Sequence, residues 1–394
     1  MNILHIHNWY RFDGGENTMF KIIVHSLREK GHHVVILERN SQDITSGVRG
    51  RTEAFLEGIY SFTMKKSVSK LLALERPDIV HVHNLYPLIS PSVLIPCREA
   101  RIPVVMRCPN YRMTCPTSLH LRNGNICELC KGGREYWCLI KNCRGNLLES
   151  FGYAIRNVVA RKKHLFHDNV TFYLPPTEFV KHRLVDCGIR EEQIVVIPNM
   201  VEMPNDPLDY SEGQYIAYTG RISPEKGIDT LLVAAFQTGL PVRIAGDYLA
   251  MPGALEMAPQ NVKFLGHLGP EKLHEFYQNS RFVIVPSIWH ETFGLVAAEA
   301  MAHGLPVIAS RMGGLPELVE DGTTGFLFEA GDARDLGQKM KVLWNDPELC
   351  RRMGKKARVK AGLKYSKETY YRRLMEVYER AIDAEKEKQS STTN

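Results

Sequence analysis

The segment from Arg281 to Pro306 constrains the fold of this chain more than any other. Its first residues, 281–285, form a largely apolar run that is typical of a buried strand. From Thr292 onward the residues favour a helix, which Gly304 and Pro306 stop. The segment therefore predicts one strand–loop–helix unit.

Two carboxylates lie on this unit, Glu291 in the loop and Glu299 inside the helix. A helix N-terminus offers free N–H groups and partial positive charge, so a diphosphate could bind there, with a ribose at Glu299 and a sugar at Glu291. The alternative is that both are solvated helix charges. Gly313 and Gly314 downstream favour the first interpretation, because glycines let backbone amides approach a ligand closely.

A second candidate site follows another predicted strand, Tyr215 to Gly220. Arg221 comes directly after it, and Lys226 precedes Gly227. Two cations held over a departing diphosphate would stabilise its growing negative charge. Isolated surface charges would have no such role, but the flanking glycines favour phosphate binding.

This ordered set of motifs resembles the fourth sequence family of retaining glycosyltransferases, which have the GT-B architecture. The matching residues are the Glu291/Glu299 pair, residues 220–227 and residues 313–317; residues 320–328 look like the family's strand hairpin. The resemblance implies an α/β fold of two facing Rossmann-like domains with parallel sheets and a cleft between them.

The resemblance also implies an activity: transfer of a sugar, with retention, from a UDP- or GDP-sugar to a glycan or lipid-linked acceptor, typical of bacterial surface polysaccharide biosynthesis. It implies catalytic roles for Arg221, Lys226 and Glu291 and no cofactor required for catalysis. The donor contacts that it implies are Gly14, Gly15, Gly220, Arg221, Lys226, Glu291, Gly294, Leu295 and Glu299.

Strand and linker patterns set the expected domain boundaries. We expect an acceptor-binding domain over 1–200, a linker over 201–214, a nucleotide-sugar-binding domain over 215–375, and a terminal helix and tail over 376–394. Gly14 and Gly15 follow the first predicted strand, at the edge where open α/β sheets bind ligands.

The net charge and the hydropathy pattern limit the classes of molecule that this protein is expected to bind. The net charge of +6 is too weak to argue for nucleic acid but is compatible with nucleotide substrates or an anionic membrane. The start of the chain lacks a signal-peptide pattern, so we expect a cytoplasmic protein, with a possible site at the inner membrane face.

Residues 147–166 predict a basic amphipathic helix, with Arg156, Arg161, Lys162 and Lys163, that could lie on a membrane or pack into the first domain.

Five cysteines cluster from Cys115 to Cys143, within a cysteine-rich insertion that we expect over residues 108–143. The spacing of Cys127 and Cys130 suits a structural zinc ion, which Cys115 and Cys143 could complete, while Cys138 competes for a place. Free buried thiols and a redox or disulfide role are the alternatives.

One position departs from the family pattern. The family usually has a histidine that binds the transferred sugar, and Pro109 stands there; Asn110, Tyr111 or Arg112 could take over. The departure leaves open a catalytically silent nucleotide-sugar-binding or complex-assembly subunit, and a nucleotide-sugar epimerase is a further alternative.

Overall fold

A computed structural model describes residues 1–11, 14–44, 47–205, 213–247, 251 and 253–392. The chain divides into two compact units. The first comprises Met1–His120, Glu128–Ile197 and Tyr371–Asn394, and the second comprises Leu121–Cys127 and Pro198–Tyr370. Much of the predicted linker, residues 206–212, lies outside the described residues.

The first unit is built on a five-stranded parallel sheet with strand order β2-β1-β3-β4-β7. β5 and β6, which follow β4 in the chain but belong to the second unit, form a separate antiparallel pair. The strands are β1 Asn2–Trp9, β2 His33–Asn40, β3 Ile79–Asn84, β4 Val104–Arg107, β5 Leu121–Arg122, β6 Asn125–Ile126 and β7 Phe172–Leu174. Burial of aliphatic residues such as Leu4, Val80 and Val104 forms the core, and each such side chain contributes roughly 1.5–3 kcal/mol.

Helices cover this sheet, and three of them begin at polar side-chain caps. Ser61, Asn146 and Thr177 each accept a hydrogen bond from a backbone N–H in the first turn of the helix that follows. The helices are α1 Gly15–Glu29, α2 Val48–Ile59, α3 Phe62–Glu75, α4 Leu94–Glu99, α5 Tyr136–Ile140, α6 Leu147–Lys162 and α7 Glu178–Val185.

The second unit contains a six-stranded parallel sheet with strand order β10-β9-β8-β11-β12-β13. Its strands are β8 Tyr215–Thr219, β9 Val242–Ala245, β10 Val262–Gly266, β11 Ser280–Val285, β12 Val307–Ser310 and β13 Gly325–Phe328. The expected hairpin over 320–328 is wrong. Residues 322–324 form a turn, and Asp321 makes only an isolated parallel bridge with Gly325. β13 pairs in parallel with β12, because the buried Leu327 and Phe328 complete the sheet edge.

The helices of the second unit separate its parallel strands and continue into the C-terminal region. They are α8 Ile228–Thr238, α9 Gly253–Glu256, α10 Pro270–Gln278, α11 Leu295–Ala302, α12 Leu315–Leu318, α13 Ala333–Asn345, α14 Pro347–Tyr365 and α15 Lys367–Thr392. Most of α15 packs within the first unit, where the Tyr378 hydroxyl lies 2.6 Å from His81 Nδ1. None of the described helices combines the length and apolar character needed to cross a bilayer.

Candidate active site

The turn after β8 carries the two predicted phosphate-binding cations, Arg221 and Lys226. Gly220 has φ +128° and leads into Arg221, whose side chain is 69% exposed and 3.4 Å from Glu225. Gly227 ends the turn with φ +71°, and a Cβ there would lie 1.9 Å from the Pro286 carbonyl oxygen. Only glycine permits this approach, so the turn that carries Lys226 is fixed against the end of β11.

Lys226 and Glu291 contact each other directly. The Lys226 Nζ lies 2.5 Å from Glu291 Oε1, and the Ser287 hydroxyl donates to the same oxygen at 2.6 Å. Burial by itself would raise the pKa of Glu291, but the Lys226 ammonium and the Ser287 hydrogen bond hold it below its usual value. Glu291 is therefore an ionised, oriented carboxylate.

The glycine pair at 313–314 supports Glu291 from behind. The Gly314 N–H donates to the Glu291 carbonyl oxygen at 2.7 Å, and a Cβ on Gly313 would lie 2.2 Å from that same oxygen. From the sequence we expected the backbone amides of Gly313 and Gly314 to face a ligand. Instead the Gly314 amide is used within the protein, where it holds the Glu291 backbone in place.

Glu299 lies in a different electrostatic setting from Glu291. It is on α11, which begins at Leu295 after Gly294, and its carboxyl oxygen is 3.4 Å from the Tyr277 hydroxyl. Burial raises the pKa of Glu299 to about 7. A ligand hydroxyl that donates to this carboxylate would offset part of its burial cost.

The predicted donor residues fall into two groups. Gly220, Arg221, Lys226, Glu291, Gly294, Leu295 and Glu299 all belong to the second unit. Gly14 and Gly15 belong to the first, at the start of α1. Sequence reasoning missed Ser287 and Tyr277: Ser287 follows β11 directly and could have been noticed there, but nothing in the sequence links Tyr277 on α10 to Glu299.

The three residues that follow Pro109 lie in different environments. Tyr111 is 1% exposed and packs with Cys115 and Val180 in the core, so it is not placed to contact a sugar. Asn110 and Arg112 line a pocket with Pro109 at the carboxyl ends of β3 and β4. Of the three candidate replacements for the histidine, these two remain.

Two of the basic residues of α6 make hydrogen bonds within the protein. Arg156 is 6% exposed and donates to the Pro116 carbonyl oxygen at 3.0 Å. Arg161 Nε donates to Glu135 at 2.8 Å, although the Arg161 side chain is 43% exposed. The expected basic face therefore loses Arg156 to the interior, and Arg161, Lys162 and Lys163 remain exposed.

The cysteine segment contains no disulfide among the described residues. None of the nine cysteines is in a disulfide, and Cys138 is fully buried. Burial raises the pKa of Cys138 to about 12, with further contributions from the neighbouring Cys143, Cys130 and Cys115. In the described part of the chain, no three of these thiols lie within 4.8 Å of each other, so the zinc site stays a prediction.

Three histidines on the first sheet form a separate buried group. Potential ligand atoms of His5, His81 and His83 lie within 4.8 Å of one another. The rings of His81 and His83 are stacked at 4.2 Å, and those of His5 and His83 at 5.0 Å. His5 Nδ1 lies 2.8 Å from His83 Nε2, and His81 Nδ1 lies 2.6 Å from the Tyr378 hydroxyl. Burial lowers the pKa of each histidine, so the three rings are neutral and hydrogen-bonded within the core.

Comparisons with known proteins match both halves of the chain. The model of the glycosyl transferase 4-like domain matches residues 14–200, and that of glycosyl transferases group 1 matches residues 201–360. An uncharacterized glycosyltransferase of Methanocaldococcus jannaschii is 30% identical over 213 residues, which cover 52% of this chain and 59% of the relative. A D-inositol 3-phosphate glycosyltransferase of Nocardia farcinica is 38% identical over 159 residues, which cover 36% of this chain and 35% of the relative.

A solved structure extends the match in fold over nearly the full chain. The Anabaena protein HepE, solved in complex with UDP and glucose, superposes with a TM-score of 0.69 at 19% identity, covering 96% of this chain and 99% of that one. The predicted GT-B fold is confirmed.

Proposed function

Because the chain joins a glycosyl transferase 4-like domain to a glycosyl transferases group 1 domain on the GT-B fold, we propose that it is a glycosyltransferase with a nucleotide-sugar donor. The donor is a UDP- or GDP-sugar, and the acceptor is a glycan or a lipid-linked molecule. One observation carries the proposal: Arg221, Lys226, Glu291 and Glu299 follow β8 and β11, two adjacent parallel strands of one sheet.

Each of these four residues has a role in the proposed reaction. Arg221, which is largely exposed, and Lys226 neutralise the diphosphate as it leaves. Glu299 accepts a hydrogen bond from the ribose, and Glu291 accepts hydrogen bonds from the sugar. The Lys226–Glu291 contact fixes the position of both side chains before the donor arrives, so less ordering remains to be done on binding.

We propose retention of configuration by attack on the face from which the diphosphate leaves. The acceptor oxygen forms the new bond to the anomeric carbon, the bond to the diphosphate oxygen breaks, and that oxygen takes the acceptor proton. This proposal rests on the resemblance to the retaining family. In this scheme the cations supply the charge stabilisation, and no cofactor is required.

We further propose that the acceptor is an intermediate of surface polysaccharide assembly and that the protein acts at the inner face of the membrane. Exposed apolar residues at the junction of α5 and α6 support it: Ile140, Leu147 and Leu148 are 61%, 60% and 79% exposed. Apolar side chains of this kind can enter the interface of a bilayer while basic residues bind anionic headgroups.

A thermal-shift screen against UDP-, GDP-, ADP- and dTDP-sugars tests the donor assignment. A ligand that binds only the native state raises the melting temperature, so one sugar nucleotide should give a shift of a few degrees, and the free sugar should give none. Turnover of that donor with acceptor extracts would then establish transfer. If no sugar nucleotide shifts the melting temperature, a silent assembly subunit replaces the proposal.

A further inference from the structure

The first unit contains a pocket that is lined by none of the proposed donor residues of the second unit. It opens at the carboxyl ends of β3 and β4, and its lining includes His83, Asn84, Arg107, Asn110 and Arg112. Ligands of open parallel sheets bind at this edge. The pocket is rich in side chains that donate hydrogen bonds.

Arginine and tyrosine side chains alternate beside this pocket. The Arg112 guanidinium carbon lies 5.0 Å from the ring centroid of Tyr10 and 5.9 Å from that of Tyr86. The Arg156 guanidinium carbon lies 4.1 Å from the Tyr86 centroid and 4.5 Å from that of Tyr153. We call these five residues the Arg–Tyr ladder. Stacking on ring faces holds two like charges at fixed positions.

The two arginines of the Arg–Tyr ladder donate to neutral oxygens. Arg112 Nη1 donates to Asn84 Oδ1 at 2.5 Å, and Arg156 Nη2 donates to the Pro116 carbonyl oxygen at 3.0 Å. Among the described residues, salt bridges join Arg144 to Glu149 and Arg161 to Glu135, but none joins Arg112 or Arg156 to a carboxylate. Burial by itself would lower the pKa of Arg112, but Tyr10 and the Glu16 carboxylate raise it, whereas burial and the Arg112 charge lower the pKa of Arg156. One carboxylate therefore faces two guanidinium charges, and a further anion would compensate the second.

The Glu16 carboxylate, which interacts electrostatically with Arg112, already accepts hydrogen bonds from other side chains. Glu16 accepts hydrogen bonds from the Tyr10 hydroxyl at 2.6 Å and from Asn110 at 2.8 Å. These contacts fix Glu16 and Asn110 at the rim, and the Asn157 amide fixes the Arg112 backbone by donating to its carbonyl oxygen at 2.7 Å. The Arg112 fork is therefore held in place beside the pocket.

We propose that this pocket binds a phosphate group carried by the acceptor, with Arg112 as the residue that selects it. The inference rests on the proposed function, since it names the class of acceptor. A guanidinium presents two parallel N–H donors, which match two phosphate oxygens. The phosphate can belong to a soluble sugar phosphate or to an isoprenyl phosphate, and the group recognised is the same.

Calorimetric titration of the full chain tests the proposal with two phosphate probes, glucose 1-phosphate and farnesyl phosphate in detergent. Glucose and farnesol are the unphosphorylated references. At least one phosphate probe should bind more tightly than its reference, and Arg112→Gln should weaken that binding by about 30-fold or more. Binding of glucose 1-phosphate indicates a sugar phosphate, binding of farnesyl phosphate indicates a lipid phosphate, and either supports the proposal.

Two control variants separate this pocket from its surroundings. Arg144→Gln removes a guanidinium 4.7 Å from the same Tyr153 ring, but one already paired with Glu149, and should change phosphate binding less than two-fold. Lys226→Ala should also leave it unchanged. Binding that is lost in Lys226→Ala and kept in Arg112→Gln would place the phosphate at the donor residues and overturn the proposal. Equal binding of phosphorylated and unphosphorylated probes would overturn it too.

The donor screen separates the two proposals from each other. Arg112→Gln should keep the melting-temperature shift with the nucleoside diphosphate alone, which the residues of the second unit are proposed to bind, and this shift also shows that the variant is folded. A retained donor shift with unaltered phosphate binding rejects only the phosphate pocket. The absence of any donor shift in the unaltered protein rejects the glycosyltransferase proposal instead.

Discussion

At the scale of single residues, the two glutamates of the Glu-x7-Glu pair differ in charge because their surroundings differ. Glu291 has the Lys226 ammonium at 2.5 Å, which lowers its pKa against the effect of burial. Glu299 has the Tyr277 hydroxyl at 3.4 Å, and its pKa rises to about 7. The same residue type can therefore serve as a fixed anion at one position and as a titrating acceptor at the other.

Substitution of Lys226 by alanine should reduce both stability and activity. It leaves Glu291, 8% exposed, without its counter-charge, so we expect a loss of about 3 kcal/mol in unfolding free energy and a fall of about 10²-fold or more in turnover. Urea unfolding and donor turnover measure the two effects. Lys367→Ala, which breaks the exposed pair with Glu202, is the control and should cost less than about 1 kcal/mol. Wild-type stability and turnover in Lys226→Ala would contradict both assignments.

Glu299 should make stability depend on pH in the ligand-free protein. Its pKa is about 7 in the folded state against a usual value of 4.5, so the folded protein binds the proton more tightly. Its favourable contribution is complete below about pH 4.5 and is lost as pH rises through about 7. Glu299→Gln should remove this slope, which amounts to at most about 3 kcal/mol, and should be more stable than the wild type at pH 8. Urea unfolding of both proteins from pH 5 to 8 tests this, and parallel curves would show that Glu299 does not titrate there.

At the scale of elements, three side chains of α6 donate hydrogen bonds to the segment that precedes the helix. Arg156 donates to the Pro116 carbonyl oxygen, Asn157 to the Arg112 carbonyl oxygen, and Arg161 to the Glu135 carboxylate. A basic amphipathic pattern indicates a helix with a polar face, but it does not say whether that face meets solvent, lipid or protein. Here two of its arginines are used for internal contacts.

The cysteine segment held by α6 is predicted to bind one zinc ion per chain. Cys138 is the most deeply buried of the five cysteines and has three of the others as neighbours, so Cys138→Ser should reduce the zinc content strongly. Elemental analysis of the purified protein measures it. Cys187→Ser, outside the segment, is the control and should keep the metal. Less than about 0.1 zinc per chain in the wild type, with all five thiols titratable, would refute the site.

At the scale of the whole molecule, membrane contact is predicted to depend on exposed apolar residues rather than on the arginines of α6. Leu148→Ser should reduce flotation with anionic liposomes several-fold, because its side chain is 79% exposed at the end of α6. Phe236→Ser removes a side chain of 76% exposure from the second unit and should have no effect. Equal flotation of wild type and Leu148→Ser would exclude this end of α6 as the membrane contact.

The sequence by itself determined the type of fold and the position of the candidate site along the chain. Strand and helix periodicity is local, and the glycines and charges that follow β8 and β11 are adjacent in sequence to those strands, so both could be predicted. No pattern in the neighbouring sequence predicts that Gly227 lies close to Pro286. The glycine itself did predict the turn that contains it.

Only the tertiary structure decided which groups pair. Lys226 meets Glu291 from 65 positions away, and Arg112 meets Asn84 from 28. It also decided that residues 320–328 end in a sheet strand rather than a hairpin, that the Gly314 amide supports Glu291, and that Arg156 is buried. The strand at the end of 320–328 follows from burial of Leu327 and Phe328. The other outcomes depend on which buried polar group finds a partner across the fold, because an unpaired one is costly, and sequence spacing does not encode that choice.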